Sequence, residues 1–596
     1  MKRALALLIA VLMVVLCCAC GESEDSSSSS SSKKKTAKKG SNENNTPGTS
    51  ETGDVDIADA GRVPTVTVDS GGFQDSIAID AFSYPQVEPE YGTQPSTLDT
   101  AWDASASKKT GGTDAKAAAR REAITNTANT LDLYKIKGRV YYVSPNGNDS
   151  NSGLSPSQAV RTLDSELFTM HKAKPGDAIL FERNGVWRTT NAFSCDEGIT
   201  YGSYGTGLKP AIYGSARNYA NSEYWTPSNR QNVWKITVVD EDVGIVVCNH
   251  GEIVGTKRLN GVVTLEQNGD FYFNTKQDTM YFYCDKGNPG KAFKDIEIGV
   301  HKAIINVTNV SNVTIDNLRL KYTGYMGINM RDADNSVVTN CEIGFVGGCI
   351  QSGTLRYGNG IQMWNEVDGH RIENCWIYQV YDAAVTWQGD NTYVQGFSTS
   401  KHDMNWWREN ARNSNVQYKN ISYLNNLIEL STYSIEFWHG ADTHFTGKKD
   451  ANGQWSNGSW VDDSPTKWSV RIENFIVQNN ICRLAGYGWG RQRPDHMGNH
   501  ICVWRRPLTN VQNCKIINNT FDMSDSYIVY WQFSGGESAK AKGADKWLIT
   551  NNTYYQGKNK FNQGMNYPGM QNASNRDELL SQIQAFDDNP TLYWIS

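Results

Sequence analysis

Along most of this chain, short aliphatic runs alternate with polar positions, and one step punctuates them. It is Asp-Asn, Asn-Cys or Asn-Asn, usually with a hydrophobic residue just after it. The step recurs at Asp316-Asn317, Asn340-Cys341, Asn374-Cys375, Asn425-Asn426, Asn479-Asn480, Asn518-Asn519 and Asn551-Asn552, at separations of 24 to 54 residues. A phrase that returns with variable insertions marks a solenoid. Asn and Gly suit tight corners with positive φ, and stacked Asn side chains can bond one coil to the next. The runs between the steps share a five-residue pattern: GINMR (327–331), GIQMW (360–364), AVTWQ (384–388), SIEFW (434–438), HICVW (500–504) and YIVYW (527–531).

Side chains alternate across a strand. The second column (Ile328, Ile361, Val385, Ile435, Ile501, Ile528) is uniformly aliphatic and is expected inside, followed by the fourth (Met330, Met363, Trp387, Phe437, Val503, Tyr530). The first, third and fifth columns then face out. The third is Asn329, Gln362, Thr386, Glu436, Cys502 and Val529; the fifth is Arg331, Trp364, Gln388, Trp438, Trp504 and Trp531. Coils stack about 4.8 Å apart, so the fifth column is a run of Trp interrupted once, by Gln388. Such a row beside amides and a carboxylate is what a groove for a sugar chain needs. The alternative is that the insertions at 389–415, 440–467 and 486–499 fold over this face and take the Trp as their own core.

Before the solenoid, 113–131 reads as a helix, rich in good helix formers, and is expected to cap an open end. Ser574 to Phe586 reads as a C-terminal capping helix with Ser574 as its cap and Leu579, Leu580 and Ile583 on its apolar face. The first residues carry no fold. Lys2 and Arg3 precede an apolar run from Leu5 to Leu16, too short for a comfortable membrane span, which ends in Cys17-Cys18-Ala19-Cys20-Gly21. This resembles a bacterial lipoprotein signal with Cys20 as the lipidated residue. Residues 20–55, with serine uninterrupted from Ser26 to Ser32, read as a flexible tether. The expected organisation is a signal peptide (1–19), the tether (20–55), an extended segment with the N-terminal capping helix (56–138), the solenoid (139–572) and a capping segment (573–596). The folded part is thus expected outside the cytoplasm, lipid-anchored to the cell membrane.

Composition narrows the partners. The chain has 596 residues, a net charge of −6 and no basic stripe in the repeats, which argues against nucleic acid. Nothing calls for an oligomer, so a monomer is expected. Beyond Cys20 nine cysteines remain, an odd number without a CxxC pair. They read as small core residues, with Cys341 and Cys375 stacked at one repeat position, where a disulfide is allowed but not required.

The stretches RVYYVSPNGNDSNSG (139–153), KPGDAILFERNGVW (174–187) and GSYGTGLKPAIYGS (202–215) resemble the opening coils of right-handed parallel β-helix proteins of the pectin-lyase-like superfamily. The resemblance covers about 139–556. It implies an all-β, single-stranded right-handed parallel β-helix with helical caps, and a secreted protein acting on polysaccharide, as hydrolase or lyase.

Glycoside hydrolysis needs two carboxyls. Glu436, an outward carboxylate in the middle of the strand face, is the first candidate; its alternative role is a salt bridge to an overlying Arg. Asp382, just ahead of the neighbouring strand, or Asp495, in a loop, is the second. In an extended strand Asp382 would lie about 13 Å from Glu436, too far unless the chain turns. Trp364, Trp438 and Trp504 are expected to stack sugars, and Gln388, Arg491, Arg493, His496 and His500 to orient them. The motifs of two relatives are missing: the chain lacks the Asp cluster of a Ca²⁺-assisted pectate lyase, and the Asn-Thr-Asp, Gly-His-Gly and Arg-Ile-Lys of polygalacturonases. Asp149-Ser-Asn151-Ser-Gly153 has the oxygen spacing of a small Ca²⁺ loop but reads better as an Asx turn, and no cofactor is expected. His496 and His500 have zinc spacing without the Glu and the helix that the motif needs. A glycoside hydrolase is the favoured function. A non-catalytic surface protein that binds glycan is the alternative.

Overall fold

The computed structural model describes residues 111–189, 191–364, 367–391, 405, 408–409, 417–462, 471–494, 497–505, 511–531, 546–557, 565–566 and 573–595. The signal, Cys20, the tether, Asp495 and His496 lie outside the described residues.

The repeat folds as a parallel β-helix. Each coil visits three long parallel sheets in turn, as in Thr314–Asp316, Arg319–Thr323 and Ile328–Arg331, before the next coil starts at Val337–Thr339. The turn is right-handed, the hand that parallel crossovers take. Aliphatic side chains line the interior of every sheet: Ile315, Val338 and Ile372 in the first, Leu320, Ile343 and Ile377 in the second, Ile328, Ile361 and Val385 in the third, all at most 1% exposed. Each such side chain stabilises by roughly 1.5–3 kcal/mol, and the stack grows without needing one spherical core.

The Asn steps form the corner between the first and second sheets. Asn317, Asn340, Asn374, Asn425, Asn479, Asn518 and Asn551 all have φ between 52° and 64°, the left-handed region that Asn tolerates better than bulkier residues. The next residue points inward and builds a buried ladder. Asn426 Nδ2 donates to Asn480 Oδ1, Asn480 to Asn519 and Asn519 to Asn552, each at 2.9 Å, and Asn552 donates to Asp587 at 2.7 Å. Each amide also donates to a carbonyl of the coil before, as Asn426 does to Ile372 O at 3.0 Å. Cys341 and Cys375 hold the same position and aim their thiols at the equivalent carbonyls of Ile315 and Val338, at 3.6 Å. All nine cysteines are buried and free.

Three features depart from the sequence expectations. Much of 139–300 is not coil: Val233–Thr237, Asp270–Asn274 and Thr279–Tyr283 pair antiparallel, as do Val243–Cys248 and Ile296–Val300. This insertion has its own core, including Trp225, Phe271, Phe282 and Ile298. The helix expected over 113–131 forms as Asp114–Thr125, but it lies along the outer flank of the second sheet. Arg121 bonds Glu429, Arg120 bonds the carbonyl of Asn425, and Lys116 bonds Thr520 at 2.9 Å. Leu167 and Ala173 instead join the interior at the first coil, with Phe168 packed on Phe181 and Phe193. The C-terminal helix, Arg576–Gln584, inserts Leu579 and Ile583 into the core, and its cap is Asn575 rather than Ser574. Asn575 Oδ1 accepts from the amides of Asp577 and Glu578, while Ser574 donates to Glu578.

Candidate active site

The third sheet carries the candidate chemistry. Its strands Ile328–Arg331, Ile361–Trp364, Ala383–Asn391, Tyr433–Phe445 and Asn499–Arg505 pair in the expected register, aligning Asn329, Gln362, Thr386, Glu436 and Cys502. The last of the six patterned strands is displaced by one residue: Val529, not Ile528, pairs with Ile501. Trp531 therefore falls in the inward column and is 1% exposed, while Tyr530 joins the outward one beside Cys502.

Alternation also fails where each strand begins. Ala384 and Val385, like Ile528 and Val529, both join the interior, so the chain turns at this corner. His500 follows the same turn. It is 1% exposed, its Nδ1 lies 3.1 Å from Ser434 Oγ, and its ring packs against Phe521. Burial lowers its pKa to about 3, so it stays a neutral interior imidazole, and the expected role in orienting substrate does not hold.

The same turn brings Asp382 back toward Glu436. Glu436 is 4% exposed and accepts two neutral hydrogen bonds, from Thr386 Oγ1 at 2.7 Å and Gln388 Nε2 at 2.9 Å, both on Oε2. Burial, with the Asp382 carboxylate close enough to repel it, pushes its pKa up to about 7. Asp382 itself is ion-paired: Arg493 Nη1 donates to its Oδ1 at 2.6 Å. The Arg493 guanidinium also lies over Tyr433, 5.6 Å from the ring centre. Tyr433 is almost fully buried, with its phenol pKa raised by burial. Thr386, Tyr433 and the Arg493–Asp382 pair thus cluster around Glu436, and of this cluster Glu436, Asp382 and Arg493 were among the candidates named from the sequence. Tyr433 was signalled only by its place two residues ahead of an inward Ile.

Arg493 is carried by a loop that the insertion anchors. Trp489 is fully buried, its indole donating to Gln379 O at 2.8 Å, and Gln492 Nε2 donates to Gly255 O at 2.9 Å. Arg491, two residues before Arg493, faces Asp525 at 3.7 Å instead.

The outward aromatic rings pack on one another. Trp364 and Trp438, on the coils either side of Gln388, stack at 5.9 Å between centres and 23° between planes. Trp504 meets Tyr433 edge-on at 5.8 Å and Tyr530 at 4.9 Å. All three Trp are half-buried. In the turn read as a weak Ca²⁺ loop, Asp149 spends both carboxylate oxygens on Arg161 N, Thr162 N and Thr162 Oγ1, and the Asx turn sits one residue earlier, at Asn148.

Glu436 gives stability a definite pH dependence. Its folded pKa, near 7, stands above the ordinary 4.5, so the unfolded chain releases this proton first. Its contribution is complete below pH 4.5 and is lost as pH rises through about 7, by roughly 3 kcal/mol in all. Glu436→Gln is expected to gain on the wild type between pH 5 and 8 in denaturant unfolding, with the gap closing below pH 4.5. Parallel pH profiles for the two proteins would contradict the raised pKa.

No family model and no curated protein matches the chain. Solved structures resemble it at low identity. A glycoside hydrolase is 10% identical with a TM-score of 0.40, over 76% of this chain and 97% of that one. XylC in complex with xylose is 11% identical with a TM-score of 0.39, over 71% and 69%. An exopolygalacturonase from Thermotoga maritima is 11% identical with a TM-score of 0.30, over 67% and 77%.

Proposed function

We propose that this protein hydrolyses glycosidic bonds of a polysaccharide outside the cell, held there through lipidated Cys20. The observation that carries the reading is the two unlike carboxyls on neighbouring coils of the third sheet, close enough to act on one another electrostatically. Glu436, surrounded by neutral donors and buried, keeps its proton up to about pH 7 and acts as general acid. Asp382, ion-paired with Arg493, acts as base or nucleophile. A buried carboxyl that keeps its proton beside an ion-paired one is an arrangement glycoside hydrolysis can use. The half-buried Trp364, Trp438 and Trp504 offer ring faces and edges to a sugar beside Glu436.

A second reading, elimination from a uronate chain, has one feature in its favour. Tyr357 hydroxyl lies 2.8 Å from His301 Nε2, His301 Nδ1 lies 3.1 Å from Glu241, and the Tyr325 ring packs on His301 at 4.6 Å. Tyr325 stands two coils before Asp382 in the strand register. The test is a product assay on a panel of neutral and uronate polysaccharides. New reducing ends without ultraviolet absorbance of an unsaturated uronate support hydrolysis. Both signals together replace it by elimination at the tyrosine–histidine group. Binding with neither signal leaves a non-catalytic glycan-binding protein.

A further inference from the structure

Both hydrogen bonds to Glu436 end on one atom. Thr386 Oγ1 (2.7 Å) and Gln388 Nε2 (2.9 Å) donate to Oε2, and Oε1 accepts none from the described residues. A carboxyl oxygen that already accepts two donors is a poor place for a proton, because a third hydrogen would have to face two others. We propose that Thr386 and Gln388 are positioning residues that saturate Oε2 of Glu436 and confine its transferable proton to Oε1. This deepens the two-carboxyl reading by assigning the atom that would deliver the proton to a leaving oxygen.

The surroundings hold this arrangement. Thr386 is fully buried and lies one coil from Glu436 in strict register, so its hydroxyl has a fixed reach. Gln388 lies between Trp364 and Trp438 in the strand register. Backbones two coils apart are about 9.6 Å distant, yet the rings stack at 5.9 Å. They lean together over the coil that carries Gln388. The charged and titratable groups facing Glu436 are Asp382 and Arg493 at the corner, Tyr433 and Cys502 on its own and the next coil, and Tyr423 from the first sheet. Thr386 and Gln388 are the neutral donors that touch it.

Donors to Oε2 favour the ionised form. Removing one is therefore expected to raise the titration midpoint of Glu436 above its value near 7, by about one pH unit. The midpoint is read from infrared difference titration of the carboxyl band in the full chain, with Glu436→Gln as the blank. Thr386→Val and Gln388→Met should each move it upward, and Thr386→Ser, which keeps the hydroxyl, should leave it in place. An unchanged midpoint in both Thr386→Val and Gln388→Met would overturn the proposal, as would an equal shift in Thr386→Ser. The readout needs no substrate, so it holds or fails independently of glycan cleavage. If cleavage is found, the alkaline limb of kcat/KM should move with the band.

Discussion

Glu436→Gln is expected to slow glycan cleavage by about 10²- to 10⁴-fold while leaving substrate affinity near that of the wild type. Glutamine keeps the shape of the side chain and can still accept from Thr386 Oγ1 and Gln388 Nε2 through its carbonyl oxygen. What it loses is the proton that Glu436 holds up to about pH 7. The loss should appear in kcat and hardly in KM, because a general acid acts as the bond breaks rather than as substrate binds. Substrates with a strongly acidic leaving group, which need no protonation, should recover most of the rate. A Glu436→Gln protein cleaving polysaccharide within tenfold of the wild type would remove Glu436 from the mechanism. Asp382→Asn is a less clean probe, because it also takes away the carboxylate that pairs with Arg493.

That Glu436 could be singled out before any coordinates reflects how a solenoid uses its sequence. In the middle coils the register is the one the alternation implies, because an aliphatic column such as Ile361, Val385, Ile435 and Ile501 cannot slip by one residue without exposing itself. The Asn corners were legible for a related reason: few residues take φ near +55° cheaply, and the neighbouring amide gains a ladder partner. In the last of the six patterned strands the pattern is degenerate. Ile528 and Val529 are both aliphatic, and the structure turns both inward while pairing Val529 with Ile501, which moves Trp531 into the core.

The site itself was only half legible. Strict alternation assumes that a strand runs straight from its first residue, and here each coil turns at its start. The turn hides His500 and draws Asp382 toward Glu436, two outcomes that spacing along a straight strand gets backwards. The partner of Asp382 comes from a loop more than a hundred positions later, placed by Trp489 on Gln379 and by Gln492 on an antiparallel insertion that the repeat pattern does not announce. The Trp row follows the expected register at Trp364, Trp438 and Trp504, whereas Trp531 turns into the interior, and the outward rings also pack on one another, Trp364 on Trp438 two coils away and Trp504 on Tyr530 of the next coil.

Arg483→Met is expected to destabilise the fold by about 3–5 kcal/mol. Arg483 is 1% exposed on the outer face of the second sheet, where its Nη1 donates to Glu429 Oε1 at 2.6 Å, its Nη2 to Asp114, and its Nε faces Asp522 at 3.8 Å. Glu429 also accepts from Arg121 and from the Trp376 indole, each at 2.9 Å, and Asp522 accepts from the Gly111 amide at 2.6 Å. Methionine fills the volume but leaves two carboxylates, both fully buried, short of a cation. Burial already pushes Asp522 up to about 6 with Arg483 present, so without it Asp522 should take up a proton near neutral pH. The helix Asp114–Thr125 loses one of its two ion pairs to the sheet in the same change, keeping Arg121–Glu429. Amide exchange along that helix should therefore rise before the coils themselves open, since terminal elements with few partners open first. Replacing Glu429, Arg483 and Asp522 together by apolar residues of similar volume should return much of the lost stability, because a buried ion network costs desolvation that an apolar cluster does not. If Arg483→Met unfolds within 0.5 kcal/mol of the wild type, roughly the spread of a neutral surface change, then the helix is held by its apolar contacts at Ala117 and Ile124 and the charges beneath it contribute nothing net.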